Sequence, residues 1–73
     1  MHYKWEEYQQ FVDSKTLKLE ESFGNLCMYY YYDILQLSWM YAVVLNNEIL
    51  FDTEDYPYDY WNGATAVYSI MNK

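Results

Sequence analysis
The sequence predicts a small single α+β domain over residues 1–73: an N-terminal amphipathic helix, an antiparallel sheet of about three strands, and a short C-terminal helix. Three observations predict it. Apolar residues recur at helical spacing in residues 3–13, β-rich runs fill the middle with Asn46-Asn47 between two of them, and a helical repeat returns after residue 62. A chain of 73 residues has room for one core and no more.

In residues 3–13, Trp5, Tyr8, Phe11 and Val12 fall on one helical face, with Glu6, Glu7, Gln9 and Gln10 between them. The acids lie in the first turns, where the helix dipole favours them. Asp13-Ser14 marks a break. Residues 14–22 read two ways: a second short helix capped by Ser14, or a strand, since Thr16 to Glu20 alternates. Gly24-Asn25 is a turn signal.

Leu26 to Ile34 is dominated by aromatic residues suited to a pleated, half-buried surface, and Ser38–Leu45 and Glu48–Asp52 are further β-rich runs. Asparagine tolerates the positive φ of a tight turn, so Asn46-Asn47 predicts a hairpin entered by Val44 or Leu45 and left through Ile49 and Phe51. A helix over Asp33 to Leu45 competes, because Ile34, Leu37, Tyr41 and Val44 or Leu45 also fall at helical spacing. Asp52 to Tyr60, with four acids, three tyrosines and the only proline, reads as an exposed loop. Ala64, Val67, Tyr68 and Met71 then predict a helix capped by Asn62.

Leu26 to Leu45 has the length of a membrane span, but Asp33, Gln36 and Ser38 lie inside it and no Lys or Arg flanks it, so no membrane association is expected. No basic leader with a small-residue cleavage site opens the chain, and a lone cysteine suits a reducing compartment, so the expected location is the cytoplasm.

The side chains argue against catalysis. His2 is the sole histidine and adjoins the initiator methionine, a poor place for a general base. Cys27 has no basic neighbour in sequence to activate it, and the serines have no other histidine to use. Gly24 and Gly63 are the only glycines, too few for a phosphate loop, so no cofactor is expected. Asp52, Glu54, Asp55 and Asp59 are hard oxygen donors, but an EF-hand counted from Asp52 would place Pro57 where glycine belongs and Gly63 where glutamate belongs. No metal site is expected.

What stands out is charge and tyrosine. Eleven acids face four lysines and no arginine, for a net charge of −7. Between Leu19 and Asn72 there are eight acids and no basic side chain. Such a chain cannot gather phosphates, so direct nucleic-acid binding is excluded. The acidic side is either a solvated face or the complement of a basic partner. The eleven tyrosines cannot all be core, because each buried phenol needs a hydrogen-bond partner. A strand through Tyr29-Tyr30-Tyr31-Tyr32 sends one pair of rings to the core and the other to solvent or a partner. Either tyrosine substitutes for phenylalanine across a half-wet sheet, or it builds a binding surface with large rigid contact area.

Together these features describe a surface complementary to a protein groove built for nucleic acid. Carboxylates at i and i+2 of an extended chain are about 6.5–7 Å apart, against one charge per about 3.4 Å along a DNA strand. The candidate partner-binding residues are Glu48, Asp52, Glu54, Asp55 and Asp59, with Tyr56, Tyr58 and Tyr60 among them.

In size, acidity, lack of arginine and stretches such as Glu54-Asp55-Tyr56-Pro57-Tyr58-Asp59-Tyr60, the chain resembles the small acidic DNA-mimic inhibitors of bacteriophages, and also phage anti-CRISPR proteins and sliding-clamp blockers. The resemblance implies a stoichiometric inhibitor, phage-encoded and acting in the host cytoplasm, that occupies the basic channel of a nucleic-acid-binding protein. It also allows a homodimer, for which Trp39, Tyr41 or the C-terminal helix would supply apolar surface. The rival expectation is an interaction module, an antitoxin or adaptor, that binds through exposed Tyr and Trp without mimicry.

Overall fold
The computed structural model describes residues 4–71. Along the chain come α1 (Trp5–Tyr8), a 3₁₀ turn (Gln9–Phe11), β1 (Lys18–Phe23), β2 (Leu26–Asp33), β3 (Ser38–Leu45), β4 (Glu48–Thr53) and α2 (Pro57–Met71). The α+β class is as expected, with four strands in place of about three. They form an antiparallel meander in the order β1-β2-β3-β4. Residues 14–22 resolve as turn and strand. Asp13 holds the turn, accepting from the Lys15 N–H at 3.1 Å, and Thr16 Oγ accepts from the Tyr32 N–H at 2.8 Å, so Ser14 caps no helix. The segment from Leu26 to Leu45 forms two strands and a turn. No helix among the described residues is long and apolar enough to cross a membrane.

Asn46 and Asn47 both have positive φ (48° and 69°), the backbone of a two-residue turn whose twist matches its strands. Ile49 then pairs with Val44, and Phe51 with Val43, across a bulge.

Strand alternation gives the sheet two apolar faces. On one, Trp5, Tyr8 and Val12 pack over Tyr31, Met40, Ala42 and Val44. The expected helix over 3–13 is shorter, and residue 3 lies outside the described residues. It gives way after Tyr8 because the backbone is claimed by the sheet ends. The Trp5 N–H donates to Asn47 O at 2.8 Å, the Asp13 N–H to Tyr32 O at 3.0 Å, and Phe11 O accepts from the Ile34 N–H at 2.7 Å. The N-terminal segment thus crosses the face from one end of the strands to the other.

On the second face α2 covers only one end, where Trp61 packs on Leu26, Met28 and Val43 with Ala64 and Tyr68 beside them. This helix corrects two expectations. It starts at Pro57, because proline's fixed φ suits a first helical position and its missing N–H leaves no donor to satisfy there. Tyr58, Asp59 and Tyr60 are therefore helical rather than loop, and Asn62-Gly63 lies inside the helix rather than capping it. The inward stripe is Trp61, Ala64 and Tyr68, while Val67 and Met71 are exposed.

Candidate functional site
The expected acidic array is divided by the fold. Glu48 begins β4, and its carboxylate accepts from Lys4 Nζ at 2.9 Å, the one ion pair among the described residues. Asp52 stands opposite Ala42, on the face covered by the N-terminal segment, and its Oδ2 accepts from Gln36 Nε2 at 3.2 Å. The remaining residues stay together at the junction of β4 and α2. Glu54 and Asp55 form a bend held by a 3.1 Å bond from the Asp55 N–H to Thr53 Oγ1. Tyr56 is largely exposed and left-handed (φ 55°). Asp59 sits in the first turn of α2, where its charge suits the dipole. Tyr58 and Tyr60 are half-exposed, and the Tyr60 ring packs 5.0 Å from Phe51. Three acids and three tyrosines thus remain in one stretch of chain, with Glu48 and Asp52 engaged elsewhere. No three His, Cys, Asp or Glu side chains converge as metal ligands among the described residues. His2 lies outside those residues, and Cys27 is a half-buried free thiol.

Sequence reasoning foresaw only in outline a larger feature of the second face. Tyr29 and Tyr31 point into the N-terminal core, so Tyr30 and Tyr32 point the other way, beyond the end that α2 covers. Their register partners are Tyr41 and Trp39. The four rings form a slab. Tyr32 meets Trp39 edge-on at 5.4 Å, Trp39 stacks on Tyr30 at 5.2 Å and 18°, and Tyr30 meets Tyr41 at 4.5 Å. Trp39 remains 47% exposed, whereas Trp5 and Trp61 are buried. Burial, then Tyr30, Glu20 and Tyr58, hold the Tyr41 hydroxyl above its usual pKa. The slab runs toward the β2–β3 turn, where Ile34, Leu35 and Leu37 are all exposed and Leu37 is left-handed (φ 54°). A bulky apolar residue in that conformation is strained. The signals available in the sequence were the alternation through residues 29–32 and the apolar run Ile34-Leu35.

Two other features were not anticipated. Asp33 is fully buried. It accepts from the Tyr8 hydroxyl at Oδ2, from the Gln36 N–H at Oδ1 (2.9 Å), and from Gln36 Nε2 at Oδ2 (3.2 Å). The Gln36 amide also reaches Tyr8 Oη at 3.3 Å, so its two hydrogens serve three acceptors, Asp52 included. An acid between Tyr32 and Ile34 was the available signal. The second is an open apolar groove of about 660 Å³ between α2 and the sheet, walled by Leu45, Leu50, Phe51, Val67 and Met71.

Comparison with protein-family models, curated proteins and solved structures finds no match.

Proposed function
We propose that this chain is a non-catalytic inhibitor that occupies the basic nucleic-acid-binding surface of a partner protein, in the manner of the small acidic phage inhibitors it resembles. One observation carries the reading. The sheet beyond Leu19 and all of α2 hold no basic side chain, while Glu54, Asp55 and Asp59 share the stretch from β4 into α2 with the exposed Tyr56, Tyr58 and Tyr60. A rigid anionic strip with aromatic groups complements a groove lined by Lys and Arg with stacking positions. Docking there displaces counterions and is steered at long range.

The test is competition. A basic partner captured at low salt should be displaced by single-stranded or duplex DNA and released as ionic strength rises. Changing Glu54, Asp55 and Asp59 together to their amides should weaken capture by about tenfold or more. Capture that ignores salt, DNA and the triple substitution would refute mimicry. The exposed Ile34, Leu35, Leu37 and Trp39 favour a second reading, an interaction module bound through apolar contact, and that salt-insensitive outcome is the one it expects.

A further inference from the structure
The aromatic slab has a chemistry of its own. Its rings brace one another, so little side-chain freedom remains to be lost on binding. Flat ring faces attract two kinds of ligand, nucleobases and cations. The surroundings decide between them. Glu20 is an exposed residue at the register shift of β1, the strand that pairs with β2, and β4 leaves the sheet at Thr53, opposite Tyr41, directly into Glu54 and Asp55. These carboxylates repel phosphate. Lys18, across from Tyr30, is the single cation at the slab. Between the two basic side chains, guanidinium fits better than ammonium. It is planar, it is weakly hydrated, it stacks on rings, and its fork engages a carboxylate through two parallel bonds.

We infer that Tyr30, Tyr32, Trp39 and Tyr41 form an arginine-binding surface, on which guanidinium groups of a partner's basic segment stack while Glu20, Glu54 and Asp55 hold their edges. This rests on the reading of the partner as a basic protein and adds that it is arginine, not lysine, that the slab selects.

The experiment titrates the intact chain with an arginine-rich and a lysine-rich peptide of equal length and charge, and with a single-stranded oligonucleotide. Calorimetry gives affinity, and fluorescence of the exposed Trp39 gives location. The arginine peptide should bind about tenfold tighter than the lysine peptide at the same salt, and the oligonucleotide should not bind. Trp39→Leu keeps apolar area without a π face, and it should bring the ratio close to one. Tyr30→Ala should do the same, with circular dichroism checking that each variant folds. Lys18→Gln should tighten both peptides. Neutralising Glu54 and Asp55 should weaken both and narrow the preference, whereas Asp59→Asn, outside the slab, should weaken both equally and keep it, so failure of the slab is separable from failure of mimicry. Equal affinities in the parent chain, a preference that survives Trp39→Leu, self-association through the slab, or tighter binding of the oligonucleotide would each overturn the assignment.

Discussion

At the scale of single residues, Asp33 is the one buried charged side chain among the described residues. A carboxylate removed from water needs donors, and it has Tyr8 and two from Gln36, with no cation beside it among the described residues. Tyr8 is correspondingly hard to ionise. Burial first, then its bond to Asp33, pushes its hydroxyl up to about 12 from the ordinary 10. Burial pushes the Tyr31 hydroxyl further the same way. The unfolded chain therefore loses these protons at lower pH than the folded one. The stability they provide is intact below about pH 10 and is lost as pH rises through about 12. Urea midpoints should stay level to about pH 10 and then fall, and Tyr8→Phe should make that fall shallower. A midpoint unchanged at pH 12 would contradict the buried Tyr8–Asp33 contact.

At the scale of elements, the two glycines make opposite predictions. Gly24 has φ 62°, and a Cβ there would stand 2.6 Å from Tyr68 Oη, which accepts from the Asn25 N–H at 3.2 Å. The Tyr68 ring is also braced edge-on by Phe23 at 5.8 Å. Gly24→Ala should therefore destabilise by about 1–3 kcal/mol, combining backbone strain with displacement of α2 from the β1–β2 turn. Gly63 is helical, and nothing lies within 4 Å of its would-be Cβ. Gly63→Ala should stabilise by about 0.5–1 kcal/mol. Thermal denaturation of both variants measures the pair.

That contrast also marks how far the sequence was legible. The hairpin at Asn46-Asn47 was readable because positive φ is a local demand that asparagine meets. The start of α2 was not. Asp52 to Tyr60 has loop composition, and only Pro57 at the first helical position tells that the helix has begun. The N-terminal helix was overestimated because periodicity cannot see that strand ends take the Phe11 carbonyl and the Asp13 N–H.

At the scale of the whole molecule, the acids were countable from the sequence, but their grouping depended on which face each strand position takes. Register puts Asp52 on the side opposite Thr53 and Phe51, and the N-terminal strap brings Lys4 to Glu48. The slab was half legible. Alternation in β2 fixes Tyr30 and Tyr32 on one face, whereas meeting Trp39 and Tyr41 requires the β2–β3 pairing.

The meander order carries a consequence for how the chain acquires its shape. Every strand hydrogen-bonds to its neighbour in sequence, so no pairing has to wait for a distant segment to arrive. The central hairpin can close first and recruit a strand on either side, with the two helical flanks docking afterwards. Tryptophan fluorescence after rapid dilution from denaturant should recover in milliseconds, in a single phase. A recovery taking seconds would show instead that docking of the N-terminal strap sets the pace.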